Sequence, residues 1–256
     1  MKHRLGCLGK RRGGFTLIEL LVVISVIATL LAILMPSLRK ARESTKETVC
    51  RSNLRNVGMA LMLYAQDNNY TMADSNTTNG FFWYSSPGRL RPTTDRDAYW
   101  GVAYMGYLKD PKVCGCPSFR TVAELIYQDN PRLIWEAAYS LNANLSKRKI
   151  TTLRDPGHFI VSHDHVEPKV EGGSQDMFHN DGPGTLNLKM YRGTGARAKY
   201  YFGIFRHNVR SGDLQRTLGR ANILWLDNHV SKFNETTGQN VPTSWFDPLR
   251  KNTGLY

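Results

Sequence analysis

Hydrophobic and polar positions separate most sharply in the first 40 residues. Residues 1–14 carry five Lys or Arg and no acid, whereas residues 15–35 form an apolar run of 21 residues. At 1.5 Å per helical residue, this run crosses a hydrocarbon core about 30 Å thick. The pattern predicts a single-pass membrane helix, with residues 1–14 in the cytoplasm under the positive-inside rule. The rest of the chain then lies on the outer side of the membrane.

The apolar run does not resemble an ordinary signal peptide. Such a peptide has a shorter core followed by a small-residue cleavage site, whereas Gly13 and Gly14 precede the run. A cut after Gly14 removes residues 1–14 as a basic leader and keeps the helix. The run holds one acid, Glu19, which costs about 1–3 kcal/mol near a bilayer interface unless it is paired. The new α-amino group of Phe15 lies one helical turn away and is a natural partner, in the same chain or in a neighbouring subunit.

The helical pattern continues past Pro36, which removes one ladder bond and is expected to kink or loosen the helix. Residues 36–68 form an amphipathic continuation whose apolar stripe alternates spacings of four and three: Cys50, Leu54, Val57, Leu61 and Tyr64. Poor helix formers at residues 67–69 end the pattern. We therefore expect one helix over residues 15–67, membrane-embedded in its first half and packed on a domain in its second.

Residues 69–256 contain short aromatic and β-branched runs separated by Gly, Pro, Asn and Asp, which predict an extracytoplasmic antiparallel sheet domain. The fold class is therefore α+β, a long N-terminal helix packed on a C-terminal sheet. A short helix is expected at residues 121–128 and an exposed loop at residues 180–197. Strands are predicted at residues 81–84, 99–107, 139–141, 159–162, 199–205, 223–226 and 229–233.

Composition and charge favour a class of binding partner but do not identify a particular one. The chain has 256 residues, of which 41% are hydrophobic, and a formal charge of +13, so it is not disordered as a whole and favours anionic partners. Loss of residues 1–14 removes five of the 34 Lys and Arg and leaves 29 against 21 acids, or +8. That charge suits weak, salt-sensitive contact with nucleic acid and gives no basis for sequence-specific binding.

Four cysteines are too few for a disulfide scaffold and lack the C-x-x-C spacing of a zinc ribbon. Cys114 and Cys116 are too close in sequence to pair without strain, but either can reach Cys50 if the sheet packs on the helix. The alternative is that all three are buried thiols.

Residues 11–24, RRGGFTLIELLVVI, resemble the class III leader and N-terminal segment of type IV pilins and type II secretion pseudopilins. The resemblance implies that a prepilin peptidase cuts between Gly14 and Phe15 and N-methylates Phe15. It also implies that Glu19 is the family's assembly acid and that Pro36 matches a common proline. The subunit then enters a filament with other pilin or pseudopilin subunits through an inner-membrane assembly platform.

The globular part resembles pilin-like proteins whose C-terminal module is named for a His-x9-Asp-Gly signature. In this chain nineteen residues separate His207 from Asp227, and Asn228 replaces the usual Gly. Asn is the next best residue for a left-handed position, so a hairpin turn remains possible. The matching pieces are residues 41–43, 50–58, 64–67, 116–118, 139–142, 206–208 and 221–230.

Candidate chemistry has a structural alternative at every position. His207, Asp227 and His229 can form a catalytic or metal group, but side-chain hydrogen bonds that hold a hairpin explain them better. His163 and His165 share one face of a strand and are zinc or copper candidates with His158 or His179, yet no fourth ligand stands at a recognisable spacing. Asp176 and Asp181 lack the alternating acids of a calcium loop. No resident cofactor is therefore expected.

Two classes of function fit the sequence. The first is a structural, non-enzymatic pseudopilin or pilin-like subunit. The second is a membrane-anchored surface protein that binds polysaccharide or DNA and uses the prepilin signal only for export. The motifs of serine hydrolases, zinc peptidases and phosphate-binding loops do not occur in the sequence, so an enzyme has no nucleophile or base to name.

Overall fold

The computed structural model describes residues 15–75, 80–126, 134–165, 170–171, 180–182, 185–186, 203–208, 219–236 and 241–247. The chain divides into two compact units, Met1–Arg42 and Glu43–Tyr256. The first unit contains the apolar half of a long helix. The second contains the rest of that helix and the sheet.

The long helix, α1, spans Leu17–Asp67 and contains Pro36. It ends because Asn69 adopts a left-handed φ of 53°, and the Tyr70 N–H then donates to the Ala65 carbonyl, as in a Schellman motif. Within the second unit one face of α1 is buried at spacings of four and three residues, at Cys50, Leu54, Val57 and Leu61. Tyr64, at the end of the predicted stripe, is half-buried against the same core.

Among the described residues, the central sheet has five strands in the order β5-β3-β4-β8-β9. Its neighbours are antiparallel, as the sequence predicts, except that β5 pairs with β3 in parallel. Two small pairs stand apart from it, β1 with β2 and β6 with β7. The strands are β1 Tyr84–Ser86, β2 Arg89–Leu90, β3 Tyr139–Asn142, β4 Ile160–Asp164, β5 Val170–Glu171, β6 Asn180–Gly182, β7 Thr185–Leu186, β8 Arg220–Trp225 and β9 Val230–Asn234.

Both faces of the sheet are covered by apolar side chains. Val161 and Leu224 belong to the larger core, which includes the buried face of α1, while Ile160 and Ile223 belong to a second cluster with Phe246. Alternate residues of a strand point to opposite faces of the sheet. Because both faces are covered, β4 is buried at every position, and burial does not alternate along it.

The other helices in the described ranges are short. They are α2 Met105–Leu108, α3 Pro117–Ile126, and 3-10 helices at Trp100–Tyr104, Pro111–Cys114, Ala143–Leu145, Ile150–Thr152, Pro156–His158 and Thr243–Trp245.

Three predicted strands are wrong in detail. Tyr99 is extended, but the residues after it form a 3-10 helix and α2 over 100–108. Trp100, Tyr104 and Leu108 are among the buried residues and lie four apart, a spacing that suits a helix. Residues 203–204, the described helical part of the strand predicted at 199–205, are not extended. The strand predicted at 81–84 starts at its last residue, Tyr84.

The predicted helix at 121–128 begins earlier, at Pro117, where the ring's fixed φ suits a first helical turn. Within the predicted loop at 180–197, the described residues instead form the strand pair β6 and β7. Residues 187–197 of that loop lie outside the described residues.

Candidate functional site

The apolar helix begins with a capping box formed by Thr16 and Glu19. The Thr16 N–H and its hydroxyl both donate to Glu19 Oε2 at 2.8 Å, and the Glu19 N–H donates to Thr16 Oγ1 at 3.2 Å. These bonds satisfy backbone donors that the first helical turn otherwise leaves open. Glu19 accepts both of its hydrogen bonds in the capping box on the same oxygen, Oε2. Glu19 thus starts the helix in this chain, in addition to any role it has between chains.

Apolar side chains of α1 are exposed throughout the first unit. In the part of the chain that the structure describes, α1 is the helix that is long and apolar enough to cross a membrane, and no part of its most apolar stretch is buried. The side chains of Leu17, Ile18 and Ile33 are at least 70% exposed. In water this surface is strongly unfavourable, so the helix requires lipid or other helices around it.

Ser and Thr hydroxyls in the apolar run and just after it donate to carbonyls of the helix itself. Ser25 donates to the Val22 carbonyl and Thr29 to the Ser25 carbonyl, both at 2.8 Å. Ser37 donates to the Leu34 carbonyl at 2.7 Å, next to Pro36. Because each hydroxyl proton already has an acceptor, the run loses little by leaving water. Pro36 lies inside a helix that continues past it, and the expected kink there stays a prediction.

The second half of α1 is joined to the domain covalently. A disulfide links Cys50 on α1 to Cys116, immediately before α3, and Cys114 is a buried free thiol. The sequence left open which of the two pairs with Cys50. Burial raises the pKa of the Cys114 thiol, so Cys114 stays protonated at neutral pH. Nearby, the Tyr139 hydroxyl donates to the Cys50 carbonyl at 3.0 Å.

A buried carboxylate, Asp164 at the end of β4, forms the polar centre of the domain. Its Oδ1 accepts a hydrogen bond from Arg206 Nη2, and its Oδ2 lies 2.9 Å from His207 Nε2. The N–H of Asn222 donates to Oδ2 at 2.7 Å and its Nδ2 at 3.0 Å. The side chains of Asp164, Arg206 and His207 have no exposed surface. The cluster ties β4, β8 and residues 206–207 together from inside.

Arg206 also holds the backbone around it. Its guanidinium donates to the carbonyls of Ala138 at 2.7 Å and His165 at 2.8 Å, and it lies over the ring of Phe119. Burial by itself raises the pKa of Asp164, but the charges of Arg206 and His207 and the hydrogen bonds from His207 and Asn222 outweigh it. The pKa of Asp164 is therefore lowered, and the carboxylate is ionised.

The C-terminal motif residues do not form one group. His207 does not join the hairpin that the sequence assigned to it; it contacts Asp164 instead, because its segment bridges to Arg220 at the start of β8, the end far from the turn. Asp227 and His229 lie at the β8–β9 turn, where Asp227 Oδ1 accepts from the His229 N–H and contacts its Nδ1. Asn228 adopts a left-handed φ of 67° there, the conformation expected for it.

The other histidine candidates are also apart. His163 and His165 are buried with rings 5.4 Å apart, and His163 contacts the Ser140 hydroxyl at 2.9 Å. His158 is not beside these two histidines; it is exposed and lies near Trp225 and Trp245. His179 and Asp176 lie outside the described residues, as does the side chain of Asp181. In the part of the chain that the structure describes, these residues do not assemble a group of three metal ligands.

Three residues of these sites were missed in the sequence. Thr16 is detectable, because Thr-x-x-Glu before an apolar run is a capping-box signature. Asp164 lies between the two histidines that drew attention, and Arg206 directly precedes the motif histidine. Nothing local signals their pairing across 42 residues.

Comparison with known proteins bears on the apolar helix. A model described as the prokaryotic N-terminal methylation motif matches residues 9–35. The chain carries a prepilin-type methylation motif. Its boundaries enclose Gly14, Phe15, Glu19 and the capped start of α1.

Two curated relatives, a pilus component and a secretion protein, are consistent with the prepilin motif. The chain is 46% identical over 56 residues to the type IV wide pilus major component PilA4 of Thermus thermophilus. It is 32% identical over 59 residues to the type II secretion system core protein G of Pseudomonas aeruginosa. These stretches are 22% and 23% of this chain and 43% and 42% of the relatives, so the chain spans less than half the length of either. No solved structure matches the chain. The resemblance of the C-terminal module stays a prediction.

Proposed function

We propose that this chain is a pilin-like structural subunit that uses α1 first as a membrane anchor and then as its packing surface in a filament. The observation that carries the proposal is the exposed apolar half of α1, no part of whose most apolar stretch is buried and which lies within the prepilin motif at residues 9–35. An apolar surface on all sides of a helix suits lipid, and equally suits a ring of like helices. Homology to a type IV pilin and to a type II secretion protein supports the same conclusion.

Processing is the first step of the proposed pathway. A prepilin peptidase cuts between Gly14 and Phe15 and methylates the new amino group of Phe15. Intact-mass measurement of protein extracted from membranes should show the loss of residues 1–14 and the gain of one methyl group. A protein that keeps its leader, or one trimmed beyond Phe15, contradicts the proposal.

In the filament we assign Glu19 the role of pairing with the Phe15 amine. The capping box offers a way to separate this role from helix initiation. Gln at the third helical position still accepts the Thr16 hydrogen bonds but carries no charge. Glu19→Gln should therefore keep the helix and the cleavage yet fail to assemble, as Glu19→Ala also should.

The assay is subunit crosslinking in cells, with cleavage followed by mass in the same samples. Thr16→Ala is the matched control, because it removes the cap and leaves the carboxylate. It should assemble at least partly. Normal assembly of Glu19→Gln would show that the acid serves only the start of the helix and would overturn the pairing role.

The partners of the proposed pathway are the prepilin peptidase, an inner-membrane assembly platform, membrane lipid and other pilin-like subunits. Residues 1–14 face the cytoplasm before cleavage, and residues 43–256 face the periplasm or the cell surface. Oxidising conditions on that side agree with the Cys50–Cys116 disulfide. Labelling of an engineered exposed cysteine at Ser85 with a membrane-impermeant reagent in intact spheroplasts tests the orientation.

Among the machines that use such subunits, we favour a type II secretion pseudopilus. The sheet domain is long for the repeating shaft of a pilus, and a bulky subunit is easier to place sparsely or at a tip. Deletion of the gene should then trap a specific set of secreted proteins in the periplasm while surface fibres and twitching persist. The reverse pattern favours a pilus.

A further inference from the structure

His207 lies beside the disulfide as well as beside Asp164. Its Nε2 is 3.8 Å from Cys116 Sγ, and the ligand atoms of Cys50, Cys116 and His207 all lie within 4.8 Å of one another. All three side chains are buried. In the part of the chain that the structure describes, this is the group of residues that can offer three metal-ligating atoms at one point.

The spacing fits a tetrahedral metal. With Zn–S of about 2.3 Å and Zn–N of about 2.1 Å, the edge between sulfur and nitrogen in a tetrahedron is about 3.6 Å. The observed 3.8 Å between Cys116 Sγ and His207 Nε2 needs almost no change. The two sulfur atoms must separate to an edge of about 3.8 Å once the bond between them is broken. Cys50 Sγ, which lies within 4.8 Å of the other two ligand atoms, must also come to about 3.6 Å from the histidine nitrogen.

We propose that Cys50, Cys116 and His207 form a zinc site in the reduced protein, so that the disulfide and a thiophilic metal are alternative occupants of the same place. A dithiol supplies two electrons and two protons to the disulfide and becomes a disulfide itself, or a phosphine and water do so and give the phosphine oxide. Either reaction leaves two thiols. Zinc then displaces the two thiol protons. His207, charged beside Asp164, releases the proton on Nε2 and keeps the one on Nδ1. Nε2 then becomes the third ligand, with water as the fourth.

The surroundings tolerate this exchange. His207 gives up its contact with Asp164, but that carboxylate keeps Arg206 and both donors of Asn222. His207 Nδ1 has no hydrogen-bond partner among the described residues, so the proton that stays on Nδ1 disturbs no existing hydrogen bond. The three ligands come from α1, from the residue before α3 and from residues 203–208. A metal would therefore join the two segments that the disulfide joins and would add residues 203–208 to them.

Burial means that the metal must enter before folding is complete, in competition with oxidation. The test therefore refolds the full-length protein, carrying Cys7→Ser, from urea into detergent under argon with a phosphine reductant and Co²⁺. We expect one Co²⁺ per chain, with a thiolate charge-transfer band in the near ultraviolet and the intense visible bands of four-coordinate cobalt. Zinc should abolish both, and protein refolded in the oxidised form should show neither.

Cys114→Ser is the matched control, because Cys114 is equally buried, lies two residues from Cys116 and contacts Tyr99 instead. It should keep the cobalt bands, whereas Cys116→Ser and His207→Ala should lose them. Circular dichroism records whether each variant folds. The proposal is overturned if folded reduced protein binds no cobalt, if Cys114→Ser loses the bands while Cys116→Ser keeps them, or if the reduced chain fails to fold with or without metal.

Discussion

Replacing Asp164 by Asn removes the charge at the centre of the domain and keeps the shape of the side chain. Asp164 accepts four hydrogen bonds, one from Arg206, one from His207 and two from Asn222. The amide of Asn offers one acceptor oxygen and turns two donors toward groups that are themselves donors. Arg206 is then a buried cation without a counter-charge.

Breaking a buried ion pair by removing one partner costs about 3–5 kcal/mol. Arg206 keeps its bonds to the carbonyls of Ala138 and His165, so we expect the lower end, about 3 kcal/mol. For a domain of this size, that corresponds to a fall in Tm of about 6–12 °C. All five tryptophans lie between residues 83 and 245. Their fluorescence therefore reports this unit and not the apolar half of α1.

Urea unfolding of the full chain in detergent measures the effect. The control is Asp227→Asn, which removes an equivalent charge from a pair whose side chains are 41% and 47% exposed. It should cost less than about 1 kcal/mol, as surface pairs do. If Asp164→Asn also costs less than about 1 kcal/mol, the cluster is not what holds β4, β8 and residues 206–207 together.

Three further predictions test other parts of the fold. Gly58→Ala places a Cβ 2.1 Å from Asn228 Oδ1, so it should cost about 1–3 kcal/mol, whereas Gly106→Ala meets no atom within 4 Å and should change stability by less than about 0.5 kcal/mol; equal urea midpoints for the two contradict the close packing of α1 on the turn. Because the pKa of Asp164 is lowered from its ordinary 3.8, its stabilisation is complete above that pH and is lost as the pH falls through the lower folded value. Asp164→Asn should therefore flatten the acid limb of the stability curve, and parallel curves for variant and wild type would contradict the assignment. Cys50→Ser opens a link across 66 residues and should cost about 4 kcal/mol under non-reducing conditions; an unchanged urea midpoint would show that the link adds no stability.

The long helix was predictable because its signals are local. An apolar run, a stripe at spacings of four and three, and Asn residues at its end predict residues 15–67, and the structure has Leu17–Asp67. Residues 99–107 mislead for the opposite reason. A short aromatic run suits a strand or a buried helical turn equally, and only the tertiary burial of Trp100 and Tyr104 decides between them.

The polar centre depends on contacts that no local pattern encodes. The sequence drew attention to His163 and His165, yet the residue between them, Asp164, carries the interactions. His207 was assigned to a hairpin because Asp227 follows it in the motif, but the pairing of β4 with β8 places it next to Asp164. Such assignments require the order of strands in the sheet, which sequence spacing does not supply.

The covalent link between α1 and the domain has a mechanical consequence. Tension that pulls the sheet domain away from the helix enters α1 at two points, through the chain that leaves it after Asp67 and through the sulfur bridge at Cys50. Between these points the helix can separate from the core, but the separation must stop at Cys50, about five turns before the helix end. A filament built from such subunits would stretch by loosening at most that upper segment, and its lower contact between helix and domain would yield only to reduction of the disulfide.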